Sequence, residues 1–129
     1  MKAQRMARID HEIQRILGTL ISQELQDPRL AFVTVTRVEV SDDLRHCKVF
    51  VGIIGDRHQV RQSMDALAHA SRFLRGELGH KIDLRHTPEL LFVEDRSAER
   101  AIALAKALRD DAQRHAAEMH DDADSEDEA

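Results

Sequence analysis

Residues 85–97, Arg-His-Thr-Pro-Glu-Leu-Leu-Phe-Val-Glu-Asp-Arg-Ser, constrain the fold more than any other stretch. They spell a proline-marked turn, a short apolar run and a polar helix start. The run Leu90-Leu91-Phe92-Val93 has the continuous apolar character of a buried strand. Asp95 or Ser97 can cap a following helix by accepting an orphan backbone N–H. Glu89 is assigned to the turn. What precedes this strand decides how it joins the rest.

Residues 32–40 are rich in β-branched side chains and bounded by turn formers, which reads as a strand. Ser41-Asp42-Asp43 is a turn. In residues 44–54, Cys47, Val49, Val51 and Ile53 alternate on one face of a second strand, so an antiparallel hairpin is expected. In the first strand, Val33/Val35 and Val38/Val40 change parity, as a bulge would cause. Residues 57–80 are helical, with Val60, Met64, Leu67, Leu74 and Leu78 as an apolar stripe. Ser71 interrupts that stripe, which predicts two helices or one helix broken near 69–72. A strand reached after a helical crossover pairs in parallel. The sheet is therefore three-stranded and mixed.

Before the hairpin, Ile9, Ile13, Ile16, Leu17, Leu20, Ile21 and Leu25 recur at helical spacing, predicting a helix over about 5–26. Asp27-Pro28 stops it, because the residue before proline disfavours the helical region. After the third strand, Ala98, Ile102, Ala105, Leu108 and Ala112 mark a last helix over 97–117. The fold class is α+β, with order α-β-β-α-α-β and a C-terminal helix, which is the element order of a type II KH domain. Residues 1–117 form the domain, and 118–129 read as a disordered acidic tail.

That tail distorts the charge. The chain carries net −5, yet residues 118–129 hold seven acidic residues and no Lys or Arg. Without them 19 basic residues face 17 acidic ones, so the body does not exclude nucleic acid as a partner. The chain has no Trp or Tyr and four Phe, so stacking of bases on aromatics is not the basis of RNA binding. One basic group is Lys2, Arg5, Arg8 and Arg15. The other is Arg72, Arg75, Lys81 and Arg85, with His69, His80 and His86 among them. Arg72 and Arg75 share a helix face. Together these cations can supply several salt-sensitive phosphate contacts.

Catalytic and metal chemistry find no support. Asp42-Asp43, Glu94-Asp95 and Asp110-Asp111 are sequence neighbours, which do not share a helix face. His80/His86 and His115/His120 lack zinc-site spacing. No Gly-rich phosphate loop or nucleophile elbow occurs. The single cysteine, Cys47, sits in an apolar strand pattern and reads as a buried structural thiol. Gly76-Glu77-Leu78-Gly79 matches the RNA-clamping Gly-x-x-Gly of KH domains but lies near the end of the helical region, where helix termination is the better reading. No apolar run spans a membrane and no hydrophobic signal core opens the chain. A cytoplasmic, non-enzymatic monomer without cofactor, metal or small-molecule substrate is expected. A generic RNA-binding module and a protein-interaction adaptor are the alternatives.

Four ordered segments resemble the ribosome-binding factor A family. Arg5-x-x-Arg8 opens the first helix. Asp27-Pro28-Arg29-Leu30 leads into Val33-Thr34-Val35-Thr36-Arg37-Val38-Glu39-Val40-Ser41-x-Asp43-Leu44. Cys47-Lys48-Val49-Phe50-Val51 is similar to the family's second strand. Arg85-x-x-Pro88-Glu89-Leu90-x-Phe92-x-x-Asp95-x-Ser97 is similar to its third strand and cap. The resemblance covers about residues 5–109. It implies a KH type II-like domain that binds the small ribosomal subunit and its rRNA. It also implies a role in late maturation, including 5′-end processing of that rRNA, and importance for growth in the cold. Family members carry an Ala-x-Gly kink between the central helices. The aligned residues are Ala70, Ser71 and Arg72, so Arg72 stands where glycine is usual and could add a phosphate contact.

Overall fold

The computed structural model describes residues 2–127, with side chains described through Met119. Two compact units separate, Met1–Asp95 and Arg96–Ala129. In the first, helix α1 (Lys2–Thr19) continues into a π turn (Leu20–Glu24), and a 3-10 turn (Pro28–Leu30) leads to strand β1 (Val33–Val40). Strand β2 (His46–Ile53), helix α2 (Arg57–Lys81) and strand β3 (Glu89–Glu94) follow. The sheet order is β1-β2-β3, antiparallel for the first pair and parallel for the second. The mixed three-stranded sheet of an α+β fold follows from that crossover.

The apolar stripe of α1 is the core-facing one. Ile9, Ile13, Ile16, Leu17, Leu20 and Ile21 are buried, and Leu25 packs at the edge. The helix ends at Glu24, earlier than the expected 26. Leu25 is already extended, and its N–H reaches back to Leu20 O at 3.0 Å. Asp27 then caps the 3-10 turn by accepting from Arg29 N at 2.9 Å. Its carboxylate also holds the Arg29 guanidinium at 2.7 Å, and that hydrogen bond keeps the Asp27 pKa below the ordinary value.

The parity change in β1 is a bulge at Thr36. The register passes from Val35↔Val51 to Arg37↔Phe50, so Val35 and Val38 both face the core. The Thr36 hydroxyl lies 2.5 Å from Asp95 Oδ2 and 3.2 Å from Phe50 O. Its one proton can serve only one acceptor at a time. On the open edge of β1, Asp10 of α1 accepts from Val40 N at 3.0 Å, and the Gln14 amide donates to Thr36 O at 3.3 Å. These bonds satisfy groups that an edge strand would otherwise leave bare. Burial raises the Asp10 pKa, against the opposing pull of the Val40 N–H.

Three expectations need correction. Residues 57–81 form one continuous helix, not two. Ser71 is only half-buried, so the stripe passes it without a break between Leu67 and Leu74, both fully buried. Gly76 and Gly79 do not terminate α2, which runs on to Lys81. Gly79 marks close packing instead: a Cβ there would come within 2.8 Å of Thr87 Oγ1. Finally, β3 is not a buried strand. It is the second edge of the sheet, and Leu91 on its outer face is 59% exposed. Leu90 and Phe92 pack against the core.

One polar residue is buried with the stripe of α2. Ser63 donates to Arg29 O at 2.5 Å and so fastens the 3-10 turn to the helix. Asp56 and Gln59 form a capping box at the start of α2, each side chain bonded to the other's backbone N–H at 2.8 Å. Gly55 makes that entry possible. Its φ is +153°, and an added Cβ would meet Gln59 Oε1 at 2.7 Å and Gln59 Cβ at 2.9 Å. Gly55→Ala is therefore expected to cost about 2 kcal/mol. A urea midpoint equal to that of the parent protein contradicts this.

Cys47 is fully buried, and burial pushes its thiol up to about 12, with the charge of Asp10 adding to the effect. A thiol reagent at pH 8 should leave the folded chain unlabelled and react only on unfolding. Above pH 9 the unfolded chain releases a proton that the folded chain keeps. Folding then weakens by roughly tenfold per pH unit, up to about pH 12. Prompt labelling of the native protein contradicts the burial.

In the second unit, helix α3 spans Ser97–Asp127, past the end expected at residue 117. Its described side chains are exposed, those of Ile102, Leu104 and Leu108 included. The backbone of the expected acidic tail continues α3 through residue 127, while the side chains beyond Met119 and residues 128–129 lie outside what the structure describes.

Candidate nucleic-acid interface

Two consecutive segments bring the cations together. Helix α2 presents Arg72 and Arg75 on one face, as their three-residue spacing requires. The segment from Ile82 to Pro88 returns the chain from the end of α2 to the start of β3. Ile82 and Pro88 are buried and anchor it, while Arg85 and His86 between them are exposed. A surface cleft of about 600 Å³ results, lined by Arg72, Arg75, Gly76, Gly79, His80, Arg85, His86 and Thr87. The two glycines keep its floor low, and nothing lies within 4 Å of a Cβ placed at Gly76.

Arg75 is the best-positioned member. Its Nε and Nη2 donate to Thr87 O at 3.3 and 2.9 Å. One edge of the guanidinium is thereby fixed, which lowers the entropy cost of using the other. The same residue lines a second cleft with Arg45, His46, His86, Thr87 and Glu89. With Arg72 it also lines a third, beside His69, Ser71, Glu89 and Leu90.

Arg45 and His46 had no place among the sequence candidates. They follow the Asp42-Asp43 pair, whose acidity masked them along the chain. The turn separates these charges: Asp43 Oδ1 accepts from Ser41 Oγ at 2.6 Å and from Arg45 N at 3.1 Å. Those bonds, Ser41's first, lower the Asp43 pKa. The turn is tight enough to put Leu44 at φ 62°, a conformation costly for a non-glycine residue.

The other candidates are scattered. Arg5 shares a cleft of about 440 Å³ with Arg45, Arg85 and His86, but Asp42, Asp43 and Asp83 stand in it too. Lys2 pairs with Asp42 at 3.7 Å. Arg8 and Arg15 are exposed on α1, apart from these clefts. Lys81 reaches Glu24 at 3.9 Å. Ala70, Ser71 and Arg72 lie within the unbroken α2, with Ala70 packed on the core and Arg72 exposed. Among the described clefts, the first basic group meets the second through Arg5. Cations prevail at Arg72, Arg75 and Arg85, where, among the described residues, Glu89 is the one carboxylate lining the clefts around them away from Arg5.

Such a surface has the positive charge to hold a polyanion. Among the described residues, no group of three or more His, Cys, Asp or Glu could hold a metal ion. No described helix is long and apolar enough to cross a membrane.

The model of the family described as ribosome-binding factor A matches residues 5–108. Ribosome-binding factor A of Heliobacterium modesticaldum is 44% identical over 125 residues, which cover 97% of this chain and 98% of that one. The crystal structure of ribosome-binding factor A from Thermus thermophilus superposes with a TM-score of 0.65 at 30% identity, covering 71% of this chain and 98% of that one. A Thermus thermophilus ribosome binding factor A homology model, fitted into an electron-cryomicroscopy map of a 30S complex, gives 0.57 at 31% identity over 67% of this chain and 91% of that one.

Proposed function

The chain belongs to the ribosome-binding factor A family, and from that premise we propose that it is a non-enzymatic assembly factor for the small ribosomal subunit. It binds free or immature subunits and their rRNA, as a cytoplasmic monomer, and assists late maturation, including 5′-end processing. The observation that carries this reading is the convergence of Arg72, Arg75 and Arg85 on one cleft, with Gly76 and Gly79 in its lining. A groove of this kind suits the regular charge of an RNA backbone. The relative fitted into a 30S complex supports the same partner.

The factor acts by favouring one rRNA conformation, which it can do only by binding that conformation better than its competitors. The bond cleavage of processing falls to separate nucleases. Ala70, Ser71 and Arg72 take the place of the family's kink, and Arg72 turns that place into a phosphate contact. Residues 118–129 either keep the chain soluble or weaken non-specific RNA binding; deleting them should raise affinity for unrelated RNA in the second case, and unchanged affinity supports the first.

Sedimentation of a cell extract tests the reading. The protein should migrate with free small subunits and leave mature, translating ribosomes. Migration with messenger RNA, or with neither, overturns it. Cells lacking the protein should accumulate small-subunit rRNA extended at the 5′ end and grow poorly in the cold.

A further inference from the structure

The cleft between the start of β2, α2 and the segment before β3 has a composition that a general basic surface does not require. Its volume is about 380 Å³, and it is lined by Arg45, His46, Arg75, His86, Thr87 and Glu89. Hydrogen bonds to the backbone set its frame. Arg45 accepts from Glu89 N at 2.8 Å through its carbonyl, while its N–H is held by Asp43. His46 N donates to Ser41 Oγ at 3.0 Å. Arg75 has its Nε and Nη2 taken by Thr87 O, leaving the Nη1 edge of the fork for a ligand. Two arginines from different elements thus face one space across a fixed frame.

Glu89 stands in the same space. Its carboxylate lies 4.0 Å from His46 Nδ1, an exposed ion pair when that ring is protonated and too long for a hydrogen bond, so it remains open to other charges entering the cleft. A carboxylate there opposes any anion entering between Arg45 and Arg75. It also opposes an anion at Arg72, which lines the adjoining cleft with it.

We propose that this cleft seats one backbone phosphate of bound RNA, with Arg75 as the preset donor and Arg45 opposite. Glu89 is a built-in counter-charge that holds the affinity of the seat down. The proposal rests on the RNA-binding reading above and deepens it. A factor that must leave its subunit gains from a seat that is occupied but not tight. Arg45 and Glu89 become determinants of affinity with opposite signs.

The test uses the full chain, with purified free small subunits and a twelve-residue uridine oligonucleotide as probes, over a series of potassium chloride concentrations. Arg75→Gln and Arg45→Gln should each weaken binding roughly fivefold and reduce the slope of log K against log salt by roughly 0.7–0.9. Glu89→Gln should tighten binding roughly threefold. That gain cannot arise from a misfolded variant, and it keeps the test decisive if Arg75→Gln loosens the Thr87 segment. Parental affinity and slope in both arginine variants overturn the proposal, and so does a Glu89→Gln variant that binds no tighter. If the parent protein ignores small subunits while the variants reorder oligonucleotide binding as stated, the seat stands and the ribosomal reading falls. If the parent binds neither probe, both fall.

Discussion

Replacing Arg72, Arg75 and Arg85 together with glutamine should lower affinity for free small subunits roughly a hundredfold at moderate salt. The three side chains line one cleft and come from two segments, so each can meet a different phosphate of one backbone. Counterion release makes the loss salt-dependent. The slope of log K against log salt should fall by roughly 0.7–0.9 for each contact removed, and parent and variant should converge at high salt. All three side chains are exposed, so the fold should tolerate the change. The tertiary hydrogen bond at stake is that of Arg75 to Thr87 O. A thermal midpoint near that of the parent, with binding lost, separates an interface effect from unfolding. A variant that binds as tightly as the parent at low salt removes the cleft from the interface.

Leu67→Ala should destabilise the first unit by about 3 kcal/mol. Leu67 is fully buried on the core face of α2, in one core with the sheet residues Cys47, Val49 and Val51, which are fully buried too. Truncation removes transfer free energy and leaves a cavity, which a helix held by the capping box at one end and by Thr87 at the other cannot easily collapse. For a unit of this size the thermal midpoint should fall by about 12–24 °C. Met64, three residues earlier and only half-buried, serves as the control. Met64→Ala should cost clearly less, and an equal loss at both sites would contradict the packing described.

Periodicity carried the elements. Alternating Cys47, Val49, Val51 and Ile53 could only be one face of a strand, and a strand pattern reached after a helical stretch implied the parallel crossover. Even the bulge at Thr36 was visible, because two valine pairs on opposite parities cannot share a face without an extra residue between them. The errors arose where local composition has two physical explanations. Glycine near a helix end signals termination or close approach, and only Thr87 shows that Gly79 is the second. An apolar run signals burial, yet Leu91 lies on an edge strand whose outer face is exposed.

The candidate cleft was legible in part. Arg72, Arg75 and Arg85 are cations close enough in sequence to be grouped, and they do line one cleft. Arg8, Arg15, Lys2 and Lys81 looked equivalent to them and do not line that cleft. Arg45 and Glu89 showed no sign of belonging to the cleft.

From the sequence alone came the family, the order of the strands and of the first and last helices, and most of the core, because local propensity and hydrophobic period act over a few residues and leave their trace in order. The tertiary structure alone decided which charges face one another. Coulombic partnership depends on distances of a few ångströms in space. Nothing along the chain records that residues 45, 75 and 89 meet.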